Sequence, residues 1–397
     1  MNVRFGDRSG FDAVTARVYF NHASMSPPSR AVRSAVLEAV DSYAAAGAGA
    51  WMHWSERRAQ LRARLASLIG AAHADEIALV PNTSYGVIDI ATAVDWQPGE
   101  RIITWSGEFP TNVTPWQQVA ERFGLELEFL PAPRVPAPGE DFDLSPLAAA
   151  LGRGARLVAV SAVQFQTGLR MPLEAIGALC AEHGALFFVD GIQAIGAVPV
   201  DVDAARIDFL ACGGHKWLMG IEGTGFLYVR TERVPGLRPL VSGWLSHEDG
   251  AAFLFGARDE LRYDRALRST AQVFDVGVTS STGFAALDAA TAPLTALGPA
   301  AIHTHVQPIL DVLENGLRDL GFRSVRAKTP EFRSCILSVL PPADLELAAC
   351  AHGLAERGIA VATPDGHLRF SPHWPNDTDQ AGEALESLRE WIANGRS

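Results

Sequence analysis

"ALFFVDGIQAIGAVPVDVDAARIDFLACGGHKWLMGIEGTGFLYV", residues 185–229, holds three short apolar runs, ALFFVD, IDFLAC and GTGFLYV. Each is apolar along nearly its whole length, the pattern of strands covered on both faces. Asp190 ends the first run, and Lys216 follows the second. The chain has two lysines, Lys216 and Lys328, and uses arginine almost everywhere else it wants a positive charge. A guanidinium stays protonated, whereas a lysine amine can lose its proton and form a Schiff base. Lys216 is therefore a candidate for chemistry that arginine cannot do.

Four similar runs precede this stretch: EIALVP, RIITW, LELEFLP and RLVAVSAV. Helix-like segments separate several of them. In MPLEAIGALCAEHG, Leu173, Ile176, Leu179 and Cys180 fall on one helical face and Gly184 can end the helix. Apolar strands alternating with helices predict an α/β fold with a mostly parallel seven-stranded sheet, helices on both faces. Ligands of such sheets bind beyond the carboxyl ends of the strands. That rule directs attention to Asn82–Ser84, Ser106–Phe109, Asp190 and the surroundings of Lys216. Past about residue 285 the texture changes to long amphipathic helices with the short runs SCILSVL and HLRFS, a smaller α/β C-terminal domain. The expected division is a large domain at 17–285 and a small one made of 1–16 and 286–397. LPAPRVPAPGEDFD reads as a surface connection.

The 397 residues are 48% hydrophobic and 20% charged, as in an ordinary globular protein. A net charge of −12 argues against nucleic acid or an anionic membrane as the main partner. No apolar run approaches the roughly 20 residues of a membrane-spanning helix, and the first twenty residues lack a signal-peptide core, so a cytoplasmic protein is expected. Cys180, Cys212, Cys335 and Cys350 are widely spaced without a CxxC pair. They read as small core residues, with no metal site expected.

An aspartate to keep a pyridine nitrogen protonated and a lysine to form an imine are what pyridoxal phosphate requires. Asp190 can also be a turn or helix-capping residue. PNTSYG places Thr83 and Ser84 between a strand and a helix, where backbone N–H groups and hydroxyls form an anion site for a phosphate. Either residue could equally cap the helix with no ligand. His215 can add a donor.

VDGIQAIGAVPVDV and DFLACGGHKWLMGIEGTGFLYV together resemble the signature of class V aminotransferases, fold-type I pyridoxal phosphate enzymes that include cysteine desulfurases, kynureninase-like and isopenicillin N epimerase-like proteins. The resemblance runs from VYFNHASMSPPSRAV to LRFSPHWPNDTD. It implies that Lys216 holds the cofactor and then moves the α-proton, that Asp190 pairs with the ring nitrogen and that Gln193 bonds the phenolic oxygen. Thr83, Ser84 and His215 would bind the phosphate, and Phe109 of GEFPTNVTPW would stack on the ring. Gly277 and Thr279 of FDVGVTS match a stretch that reaches the phosphate of a neighbouring subunit, which implies a homodimer. Val278 stands where relatives often have threonine, and Gly213 where many have serine. Arg369 matches the arginine that grips the substrate carboxylate, a bidentate role suited to a guanidinium. His22 and Ser24 lie where the N-terminal segment approaches the substrate.

The shared chemistry is loss of an amino acid's α-proton by way of an external aldimine. The outcomes are amino-group transfer, epimerisation, or β-elimination with C–S cleavage. Aminotransferase is the first expectation, with the lyase and the epimerase as alternatives. Persulfide-forming desulfurases carry a cysteine on the loop before the carboxylate-binding arginine, and RGIAVATPDGHLR has none. GIEGTG, by contrast, lacks the GxGxxG spacing and precedes a strand, so a dinucleotide site is not expected.

Overall fold

The computed structural model describes residues 3–256 and 259–394. The outermost bounds expected for the small domain, at residues 1–2 and 395–397, lie outside the described residues. Seven strands form the central sheet: β1 (Ile77–Val80), β2 (Arg101–Trp105), β3 (Glu126–Leu130), β4 (Leu157–Ser161), β5 (Leu186–Asp190), β6 (Phe209–Gly213) and β7 (Gly225–Val229). Their order is β1-β7-β6-β5-β4-β2-β3. All neighbours are parallel except the pairs made by β7, which is antiparallel to both β1 and β6. This is the mostly parallel seven-stranded sheet that the sequence predicts. β7 can run antiparallel because residues 214–224 join it to β6 without a crossover helix, and Lys216 lies in that connection.

β4 to β7 are buried along their full length, in keeping with their unbroken apolar runs. β3 is an edge strand, which explains the charges in ELEFL. Registers Ser161↔Asp190 and Asp190↔Ala211 level the carboxyl ends of β4, β5 and β6. The Thr83–Ala93 helix sits directly on β6: a Cβ at Gly86 would lie 2.7 Å from that of Ala211. Glycine there brings the helix N-terminus down to Gly213. The Leu173–Glu182 helix ends as expected, with Gly184 at φ +69° and Ala185 N–H donating to Cys180 O at 2.9 Å.

The C-terminal part holds a three-stranded antiparallel sheet of Arg323–Ser324, Leu337–Leu340 and Leu368–Phe370, with Leu337–Leu340 in the middle. The start of the chain is stitched to this part: Val18–Tyr19 pairs with Ile359–Ala360, and Asn21 bridges Ser371. One apolar core runs through both parts. The four cysteines are buried, and none forms a disulfide among the described residues. Among the described residues no single helix is long and apolar enough to cross a membrane.

Candidate active site

The Thr83–Ala93 helix is capped by Asn82, whose Oδ1 accepts from Tyr85 N–H at 3.0 Å. Capping by Thr83 or Ser84 is thereby corrected: Asn82 precedes the first helical residue and takes that role. Thr83 Oγ1 instead accepts from Gly213 N–H at 2.9 Å, and Ser84 Oγ lies 2.8 Å from Thr111 Oγ1. A Cβ at Gly213 would stand 3.2 Å from Thr83 Oγ1 and 3.3 Å from His215 Cε1, so these three residues converge at the helix mouth. Burial and the neighbouring Lys216 charge hold the His215 imidazole below its usual pKa.

Asp190 is 2% exposed at the end of β5. Its Oδ1 accepts from Ile192 N–H at 3.0 Å, and it forms no ion pair among the described residues. Glu108 is buried next to it. It is held by Ser161 N–H at 3.0 Å, Gln164 Nε2 at 2.8 Å, Asn112 Nδ2 at 2.9 Å and the Ser161 hydroxyl. Desolvation, aided by the Glu108 charge, pushes the Asp190 pKa well above the usual carboxylate range. A carboxylate in this setting is short of a cation.

Lys216 reaches over the Phe109 ring, with Nζ 5.7 Å from the ring centroid. Phe109 is 44% exposed and meets Phe165 edge-on at 5.3 Å between centroids. Burial lowers the Lys216 pKa, Asp190 opposes that, and the Arg369 charge adds to it. Gln193 is held at both ends: Nε2 donates to Ala23 O at 3.0 Å and Oε1 accepts from Trp217 Nε1 at 2.8 Å. One of its amide hydrogens is left for a ligand.

Arg369 is 4% exposed. Nη1 donates to Phe165 O at 2.9 Å, Nη2 donates to Ser24 Oγ at 2.8 Å, and the buried Nε has no partner. No carboxylate among the described residues pairs with it, and burial alone pushes its pKa down to about 10. Ser24 thus meets the Arg369 guanidinium. The His22 ring packs edge-on against Tyr19 and His373, and Nδ1 lies 2.7 Å from Ser26 Oγ, so its contacts are with the protein interior. Gly277 and Thr279 flank Val278, which is 69% exposed, and among the described residues no hydrogen bond joins them to the Lys216 group.

Three further residues reach the site and were not predicted. Glu108 carried a signal, a carboxylate directly before Phe109 at a strand end. Ser26 and His373 carried none, because each acts on main-chain carbonyls beside Lys216 from distant parts of the chain.

The residues present fit pyridoxal phosphate. Asp190 has a free oxygen for a protonated ring nitrogen, the Thr83 helix mouth has unspent N–H donors for a phosphate, and Lys216 stands by both. Residues 18–373 match the profile of the family described as Aminotransferase class-V. The chain is 25% identical over 382 residues to an uncharacterized aminotransferase of Bacillus subtilis, covering 96% of each. It is 28% identical to a probable cysteine desulfurase of Pyrococcus abyssi, over 82% of this chain and 81% of that one. Among solved structures, an apo cysteine desulfurase from Thermococcus onnurineus NA1 superposes with a TM-score of 0.85 at 24% identity, covering 99% of each chain. The cystine C–S lyase C-DES, in complex with its product cysteine persulfide, also gives a TM-score of 0.85 at 24% identity, over 95% of this chain and 98% of that one. These structures share the fold.

Proposed function

The chain belongs to the class-V aminotransferase family of pyridoxal phosphate enzymes, and on that premise we propose that it acts on a free α-amino acid, with Arg369 holding the carboxylate, Lys216 working at the α-carbon and amino-group transfer as the outcome. The observation that carries this reading is the buried Arg369 guanidinium. Its charge is felt at Lys216, its Nε is unspent, and no carboxylate among the described residues pairs with it. A substrate carboxylate completes it.

Thr83, Ser84 and His215 would hold the cofactor phosphate, Asp190 the ring nitrogen, Gln193 the phenolic oxygen and Phe109 the ring face. Bound there, pyridoxal phosphate supplies an electron sink for the pair left at the α-carbon. Lys216 Nζ takes the α-proton, and burial together with the Arg369 charge favours the neutral amine that this step needs. Amino-group transfer asks for one base that moves one proton between two carbons, and Lys216 can do so alone.

A second reading, β-elimination with C–S cleavage, draws support from the relatives described as desulfurases and from the C–S lyase fold neighbour. Persulfide formation on the chain is disfavoured, because all four cysteines are buried. Holoenzyme incubated with a panel of amino acids, with and without a 2-oxo acid, separates the outcomes. A new amino acid that appears only with the acceptor supports transfer. A 2-oxo acid with ammonia and sulfide released without acceptor establishes the lyase instead, and an inverted α-carbon establishes an epimerase. The exposed Val276 and Val278 beside Gly277 suit a homodimer in which this segment completes the neighbour's phosphate site. Sedimentation of an active monomer would overturn that assignment.

A further inference from the structure

The turn made by residues 21–26 touches three parts of the site at once. Its own bonds are Ser24 N–H and Met25 N–H to Asn21 O, at 3.1 and 3.2 Å. Ala23 O accepts from Gln193, and Ser24 Oγ accepts from Arg369. Ser26 donates its N–H to His215 O at 2.8 Å and its Oγ–H to Lys216 O at 2.6 Å. Pro27 and Pro28 follow and hold the chain extended as it leaves the turn.

We propose that Ser26 is a positioning residue for Lys216: its hydroxyl, oriented by His22, fixes the lysine main chain and ties it through a single turn to the carboxylate-binding Arg369. This rests on the reading of Lys216 as the cofactor-bearing lysine. A serine hydroxyl has one proton, and here it goes to Lys216 O. The His22 Nδ1 contact at 2.7 Å must then be an N–H donated to Ser26 Oγ, which fixes His22 as the neutral Nδ1-protonated tautomer. Burial holds this imidazole well below its usual pKa, which agrees with a neutral ring.

The next carbonyl is held from the other end of the chain. His373 Nδ1 accepts from Trp374 N–H at 2.7 Å, so its Nε2–H donates to Trp217 O at 2.9 Å. Trp374 Nε1 donates to Met219 Sδ at 3.0 Å, where Met219 stands at φ +59°. A left-handed methionine is strained and persists where its surroundings over-determine it. The lysine side chain has to alternate between a bonded and a free state on a flexible four-carbon stem. Its main chain is the one part that can be fixed, and Ser26 and His373 fix it. Without the Ser26 hydroxyl, Lys216 O keeps the Met219 N–H at 3.0 Å.

The test measures formation of the lysine–cofactor bond, apart from turnover. Apoenzyme is mixed with pyridoxal phosphate in a stopped-flow cell, and the rise of the visible Schiff-base band is followed for the native chain, Ser26→Ala, Ser26→Thr and Lys216→Ala. The expected result is a rate about tenfold lower for Ser26→Ala, the size of effect one lost buried hydrogen bond gives. Ser26→Thr, which keeps the hydroxyl, should stay within about twofold. A native rate in Ser26→Ala, or equal slowing in Ser26→Thr, would overturn the proposal. Should Ser26→Ala fail to fold, Ser26→Cys, a weak donor of similar size, carries the same expectation. A visible band that survives in Lys216→Ala would sink the reading of Lys216 itself, a result distinct from failure of the Ser26 assignment.

Discussion

Arg369 donates Nη2–H to Ser24 Oγ at 2.8 Å, yet Ser24 is neutral, and the guanidinium beside it is 4% exposed with its Nε unpartnered. A buried charge with one neutral side-chain partner and one carbonyl is a cost to the fold. Such costs gather where binding needs them.

Replacing Arg369 by methionine should therefore separate binding from stability. KM for the amino acid should rise about 10–100-fold, as expected for loss of a charge-assisted pair. The melting temperature without substrate should stay level or increase. Steady-state kinetics and thermal melts of the same sample check both, and a large fall in melting temperature would contradict this account of Arg369.

Thr83→Val keeps the shape and removes the acceptor for Gly213 N–H. A stranded buried amide costs about 1–3 kcal/mol. The apoenzyme should melt lower, and the dissociation constant for pyridoxal phosphate should rise because the helix mouth loses a hydroxyl. Equilibrium dialysis with the Thr83→Val and native apoenzymes measures the second effect.

His373 is fully enclosed, and burial holds its imidazole down at about 4. The unfolded chain takes up that proton near pH 6.5, whereas the folded chain does so only near 4. Stability is thus fully present above about 6.5 and is lost as the pH falls from there to 4, by roughly 3 kcal/mol. Denaturant titrations across this range should show a steeper acid loss for the native chain than for His373→Gln. Equal slopes would mean that His373 takes up its proton on Nδ1 at no cost, despite the Trp374 N–H that Nδ1 accepts.

Much of this was legible before any coordinates. β4 to β7 were visible because strands buried on both faces need unbroken apolar runs, and the strand ends then pointed to Asp190, Lys216 and Thr83. The sequence offers Thr83 or Ser84 as the cap where the structure uses Asn82, since Asn, Thr and Ser in succession are all good caps and only backbone geometry chooses among them. The resemblance sets His22 on the substrate side together with Ser24, because it matches a segment and does not say which way each side chain turns. Its ring turns inward, packed against Tyr19 and His373 and bonded to Ser26. Ser26 was invisible: its link to the lysine is to a main-chain carbonyl, which no side-chain pattern records.

The cysteines give a further check. Burial pushes the Cys180 thiol up to about 12 and holds Cys212 well above its usual value. Iodoacetamide at pH 8 should leave all four thiols of the native holoenzyme unmodified and its activity intact, with four adducts appearing only after denaturation. Rapid native labelling together with loss of activity would reopen the persulfide route.

The central claim is that Lys216, one of two lysines in the chain, carries the cofactor. Holoenzyme reduced with borohydride, digested and analysed by mass spectrometry reports this directly. The account predicts a pyridoxyl phosphate adduct on the peptide containing Lys216 and none on Lys328. An adduct on Lys328, or on neither lysine, would contradict it.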